Sequence, residues 1–304
     1  MTSSSVPVEV ISPPSTPRLT DLPVELLTEI LKRTTWKDIL NLRKTCSLLS
    51  DVTRGREVWA HHVREYIAGM PQRPPRLERP IETYISGELE HLLLVWRSAE
   101  LGWMAKGGKP VRERSIMVEP AEYVHLIQGG RWLLVTTNTC EVTYYDLNTE
   151  NIEGVVLIPQ QIHKPLLIDK KMTIDVDLSA PTLSFRVAFS IIDNSVMEND
   201  PAGRKATIQI WGITLLFNGV HAIGLSARRL ALLHHQSEIS TVLALSLLGP
   251  TVAFNALFFD GGLYTIVFEW EKAEDTSATC PWRVLKPPSN VVSVVINALK
   301  TQYL

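Results

Sequence analysis

The side chains of this 304-residue chain that could carry chemistry are eight histidines, three cysteines and two closely spaced aspartates. His61-His62 and His234-His235 are adjacent pairs. Neighbouring residues point about 100° apart on a helix and to opposite faces on a strand, so neither pair chelates as a unit. No HExxH, HxxEH or Cys/His cluster occurs, and neither a metal site nor a cofactor is expected. Cys46, Cys140 and Cys280 are far apart and read as free thiols of a reducing compartment. Asp175 and Asp177 share a strand face, which is ordinary alternation where that face is solvated. The Gly107-Gly108, Gly129-Gly130 and Gly261-Gly262 pairs lack the GxGxxG and GKS/T contexts of phosphate cradles, and no GxSxG elbow occurs. The chain reads as a non-enzyme.

What remains is a surface for partners. The net charge of −2 gives no bias toward nucleic acid or an anionic membrane. A 45% hydrophobic content supports a sizeable core. With no signal peptide and no apolar run of 18 residues, the reading is a soluble protein of the cytoplasm or nucleus.

The elements that would position a partner surface begin at residue 19. Residues 1–18 are rich in Ser, Thr and Pro and read as a disordered tail, with Ser12-Pro13 and Thr16-Pro17 as proline-directed phosphorylation dipeptides. Thr20 and Asp21 can cap a helix with Pro23 in its first turn. In that helix Leu22, Leu26 and Ile30 recur every four residues, with Leu27 and Leu31 beside them. Thr35 with Asp38 forms a capping-box pattern that opens a second helix, carrying Ile39, Leu42, Cys46 and Leu49 on one stripe. Gly55 suits its stop, and residues 56–67 read as a third amphipathic piece with Val58, Trp59, Val63 and Tyr66. The helical module spans 19–68. Residues 69–114 are expected to be a Pro- and Arg-rich solvated linker followed by a long connecting helix. Large apolar stripes on so small a module imply either burial against the rest of the chain or a partner.

From about residue 115 the period becomes that of short antiparallel strands. An internal echo runs through them. "VTYYDL" (142–147), "IQIWGI" (208–213) and "TIVFEW" (265–270) each follow a similar strand, at separations of 66 and 57 residues. The repeat favours a β-propeller with inserted loops over a β-sandwich, which needs no repeat. The 115–304 stretch holds roughly four blades of ~45 residues, so the propeller is expected to be incomplete, strongly irregular or truncated. Loops 192–206 and 218–228 are the expected recognition segments. Arg228 and Arg229 are weak candidates for reading an acidic or phosphorylated motif.

The stretch "LTDLPVELLTEILKRTTWKDILNLRKTCSLLSDVTRGREVWAHHV" resembles an F-box. Leu22-Pro23, Glu25, Leu26, Ile30, Asp38, Leu40 or Leu42, Thr45-Cys46 and Trp59 carry the resemblance over roughly residues 20–64. The β region is similar to the propeller-like domains that follow F-boxes in fungal proteins. The resemblance implies an α+β multidomain protein whose helical bundle docks on a Skp-type adaptor and through it on a cullin–RING ubiquitin ligase. The matching contact positions are Leu22, Pro23, Leu26, Ile30, Ile39, Leu42 and Cys46, with Trp59 as an internal anchor. The implied role is the substrate-recognition adaptor of an SCF-type ligase, its β domain binding an unknown protein target. The alternative is a scaffold that holds the adaptor without promoting ubiquitylation.

Overall fold

The computed structural model describes residues 18–70, 74–105, 113–118, 120–162, 168–193, 205–236, 239–258, 260–272 and 283–285. The chain divides into two compact units. One comprises Met1–Pro74 with Tyr84–Pro110, the other Pro75–Thr83 with Val111–Leu304.

The first unit contains helices α1 (Val24–Lys32), α2 (Trp36–Leu42), α3 (Ser47–Thr53), α4 (Arg56–Ala68) and α5 (Ser86–Met104). Pro23 sits at the N-cap of α1 rather than in its first turn, and Leu22 is extended. A proline disfavours helical geometry in the residue before it, so the helix starts one residue later than its capping residues suggest. Asp21 instead closes the preceding 3-10 turn, Leu19–Asp21, by accepting the Arg18 N–H at 2.9 Å. Thr35 caps α2 as its pattern predicts, accepting from the Asp38 N–H at 3.3 Å.

The single second helix expected from residue 35 onward is two helices. At the end of α2 the Thr45 hydroxyl and N–H both turn back onto the Leu42 carbonyl, at 2.7 and 3.0 Å, and Cys46 is extended at the N-cap of α3. This corner rotates α3 away from the stripe that continuous helical spacing would have drawn. Helices α4 and α5 complete the unit, burying Val58, Trp59, Val63, Leu89, Leu93 and Trp96. Trp103, on the last turn of α5, is 91% exposed.

The second unit contains twelve described strands in three four-stranded antiparallel sheets. The first holds β1 (Ala121–Leu126), β2 (Trp132–Thr137), β3 (Val142–Asp146) and β4 (Gly154–Ile158). The second holds β5 (Ile168–Val176), β6 (Ser184–Asp193), β7 (Lys205–Asn218) and β8 (His221–Gln236). The third holds β9 (Ile239–Leu248), β10 (Thr251–Phe258), β11 (Leu263–Glu269) and β12 (Arg283–Leu285). Each sheet pairs its strands in chain order. The echo in the sequence marks equivalent places: β3, β7 and β11 are the third strands of their sheets, and β2, β6 and β10 the second. Strand β1 gave no such signal, because it is an edge strand with Glu122 and His125 among its apolar residues.

The second sheet is buried on both faces. Phe185, Val187, Phe189 and Ile191 of β6 enter a core shared with Trp132, Leu134, Val142 and Tyr144 of the first sheet. Ala188 and Ile192, on the opposite face, join Val252, Phe254, Ile266 and Phe268 of the third. The first strands lie side by side. The Tyr123 hydroxyl donates to the Lys170 carbonyl at 3.3 Å, and the Asp169 carboxylate accepts the Val242 N–H at 2.9 Å and the Thr241 hydroxyl. Four-stranded meanders stacked face to face, with their first strands together, make this unit propeller-like.

Two expectations change here. Residues 221–228 belong to β8 and are not a loop. Gly224 sits in that strand where a Cβ would lie 2.5 Å from the Tyr144 hydroxyl, so a larger residue would force the Tyr144 ring to move. Residues 75–80 of the expected solvated linker, together with 81–83, belong to the β unit. Arg79 is buried there, Glu78 pairs with Arg131 at 2.6 Å, and the Leu183 N–H donates to the Leu77 carbonyl at 3.0 Å. A sequence rich in Arg and Pro looks solvated when its carboxylate and carbonyl partners are distant in the chain.

Candidate docking surface

Helix α1 carries two apolar stripes with opposite fates. Leu27 and Leu31 are 1% and 2% exposed and face the core of the helical unit. Leu26 and Ile30 are 51% and 41% exposed, and Leu22 and Pro23, immediately before the helix, are exposed as well. Positions four apart share a helix face, so 26 and 30 line up while 27 and 31 turn inward. Leu19, Val24 and Leu48 add exposed apolar area to the unit. They were not singled out in the sequence, though their types alone would have allowed it.

The other matched positions separate. Leu42 is half-buried, and Cys46 is exposed at the α2–α3 corner. Ile39 is fully buried, so it is a core residue of the bundle and not part of the outer surface. The same periodicity that puts it on a stripe with Leu42 turns that stripe inward at its first residue.

A polar brace links α2, α3, α4 and α5. The Arg43 guanidinium makes two parallel bonds to the Glu90 carboxylate, at 2.7 and 2.9 Å, and also donates to the Thr53 hydroxyl and carbonyl at 3.3 Å. It lies 5.9 Å from the Trp59 ring centroid, and the Trp59 indole N–H donates to the Thr53 carbonyl at 2.8 Å. Trp59 is completely buried, the internal anchor its position suggested. His62 fixes α1 from behind. Its Nε2 lies 3.0 Å from the Leu31 carbonyl, which can only accept, so Nε2 carries the proton and donates. Burial holds its pKa below the ordinary imidazole value. Along the rim, Lys32 pairs with Glu29 at 2.7 Å.

The remaining candidates do not converge. Arg228 and Arg229 are exposed on β8 opposite Gly212 and Trp211, consecutive residues of β7, so they point to opposite faces and cannot grip one anion together. Asp175 and Asp177 share Arg186, at 3.6 and 3.3 Å. Burial raises Asp175, which accepts the Gly249 N–H at 2.9 Å, while hydrogen bonds from Ser179 lower Asp177. Asp175 thereby ties the second sheet to the third, while Asp177 closes the β5–β6 turn. Cys280, loop residues 194–204 and the tail 1–17 lie outside the described residues. Among the described residues no cluster of His, Cys, Asp and Glu could hold a metal ion, and no helix is long and apolar enough to cross a membrane.

Residues 19–61 match the family model of the F-box domain. The helical unit thus carries an F-box, and the chain is an F-box protein with a C-terminal β-rich domain. No curated protein matches it. Among solved structures, the WD40 domain of SCAP from fission yeast is similar over 58% of this chain, at 10% identity and a TM-score of 0.35. The chain covers 34% of that structure's length.

Proposed function

We propose that this protein is the substrate-recognition adaptor of an SCF-type ubiquitin ligase. Its F-box docks on the Skp-type adaptor through Leu22, Pro23, Leu26 and Ile30, with Leu42 and Cys46 at the margin. The β domain, residues 115–304 with the 75–83 segment, recruits the target protein. The protein performs no chemistry of its own; the ligase reaction belongs to other subunits of the complex.

One observation carries the reading. Within the residues matched by the F-box, α1 keeps Leu26 and Ile30 in solvent while burying Leu27 and Leu31. Leu26 and Ile30 on one outer face, with exposed Leu22 and Pro23 just before the helix, make an apolar surface whose burial would stabilise a complex. A helix serving only its own core would place charges there.

The test is affinity purification of the tagged full chain from cells treated with a proteasome inhibitor. It compares wild type with the double variant Leu26→Asp, Ile30→Asp. Wild type should capture the Skp-type adaptor, a cullin and an accumulating target, and the variant should keep the target alone. Capture of the adaptor with neither cullin nor accumulating target would establish the scaffold role instead.

A further inference from the structure

Residues 76–79, Arg-Leu-Glu-Arg, lie across one end of the first two sheets as an extended strap. Prolines at 74, 75 and 80 flank them and favour an extended chain. The strap is held as a bound peptide would be. Arg76 donates to the carbonyls of Asp177 and Ala180 in the β5–β6 turn, and the Leu183 N–H donates to the Leu77 carbonyl at 3.0 Å. The Glu78 carboxylate takes the Arg131 guanidinium at 2.6 Å and the Trp132 indole N–H at 3.1 Å. Arg79 reaches across to the Val220 carbonyl at 2.9 Å, in the β7–β8 turn.

Two features separate this from ordinary core packing. The apolar core shared by the first and second sheets contains no strap side chain, so that core closes without it. The principal anchor also stays satisfied if the strap leaves. Arg131 keeps three bonds to Asp146, at 2.6 to 3.1 Å, and one to the Ala222 carbonyl at 2.9 Å. A rigid sheet end with a braced cation, an indole donor and free carbonyls is a groove for an extended chain carrying a carboxylate between two arginines.

We propose that this groove is the target-recognition site of the β domain, that it reads an extended Arg-x-Glu-Arg segment, and that residues 76–79 occupy it as an internal competitor. The proposal rests on the reading that the β domain recruits a target. Displacement of the strap by a target segment then couples occupancy of the groove to release of the chain's own linker. A tethered occupant works at millimolar effective concentration, so only a target presented at high affinity or high local concentration opens the groove.

The experiment uses the full chain and a fluorescein-labelled peptide of residues 74–84, PPRLERPIETY. Opening the strap with Glu78→Ala and Arg79→Ala should let this peptide bind at least tenfold more tightly than it binds wild type. Replacing the peptide's glutamate with glutamine, or adding Arg131→Leu to the opened chain, should reverse most of that gain. Far-UV circular dichroism and a thermal melt establish that the opened variant is folded. A folded variant that ignores the peptide makes the strap a structural clasp and overturns the proposal. So does a variant that fails to fold. Targets captured in cells without peptide binding would sink the groove but leave the recruiting reading. Peptide binding with no captured target would do the reverse.

Discussion

Glu78 and Arg131 are 53 residues apart in the chain and 2.6 Å apart in space, and the bond between them joins the strap to the first sheet. Both side chains are about three-quarters withdrawn from solvent, and the guanidinium also lies 4.3 Å from the Trp132 ring. Arg131 keeps Asp146 when Glu78 is removed, but the Trp132 indole N–H loses its acceptor and the guanidinium loses one carboxylate. Glu78→Ala should cost about 1–3 kcal/mol in denaturant unfolding of the β unit. A double-mutant cycle with Arg131→Met should return a coupling of at least about 0.5 kcal/mol. A coupling indistinguishable from zero would mean that the contact is not made in solution.

The split of α1 and α2 into core and surface residues makes a second prediction. Ile39→Ala should destabilise the helical unit by about 2–4 kcal/mol, since it empties a fully buried site. Leu26→Ala and Ile30→Ala should each change stability by less than about 0.5 kcal/mol while weakening adaptor binding. Urea titrations beside adaptor-binding isotherms separate the two classes. Equal loss of stability at positions 26 and 39 would remove the distinction.

The cysteines report on the same surface. Cys46 is exposed, whereas Cys140 is buried in the β2–β3 turn with its thiol pushed up to about 11 by burial. At pH 8 in the native state, iodoacetamide should modify Cys46 readily and leave Cys140 intact, as read by peptide mass mapping. Adding a saturating Skp-type adaptor should slow modification of Cys46. Cys140 also has a φ of +58°, in the left-handed region that costs most side chains about 1 kcal/mol. Rapid native labelling of Cys140 would contradict its placement.

His62 predicts a pH dependence. Its folded pKa lies below the unfolded value, so the unfolded chain binds the proton more readily. The neutral ring's contribution is complete above the unfolded value of ~6.5 and is lost as pH falls from there through the folded pKa. Charged or titratable neighbours acting on it are His61, Glu65 and Arg97. The melting temperature of the helical signal should therefore fall more steeply below about pH 6.5 in wild type than in His62→Gln. Parallel profiles would show that His62 is not held neutral.

Much of this was legible in residue patterns, for physical reasons. Leu26 and Ile30 against Leu27 and Leu31 define two faces of α1, because helical geometry leaves no other arrangement. The recurring aromatic-bearing strands identified the third strand of each sheet, because equivalent places in stacked sheets meet equivalent neighbours. The resemblance that made Ile39 a contact position carries no information on its burial here, and periodicity does not tell which stripe faces in. Nor does it see distant partners. Glu78 and Arg79 looked solvated until Arg131, Trp132 and the Val220 carbonyl came into reach, and the Thr45 turn that breaks the second helix competes locally with an otherwise continuous apolar spacing.

The docking role of α1 is tested most directly by calorimetric binding of the purified full chain to a purified Skp-type adaptor, with wild type beside Leu26→Asp, Ile30→Asp. Both positions are exposed, so the variant should keep the wild-type circular dichroism and melting profile. Two charges placed in a buried apolar contact should lower affinity by at least about a hundredfold. A folded variant that binds the adaptor as tightly as wild type would contradict the docking surface assigned to α1.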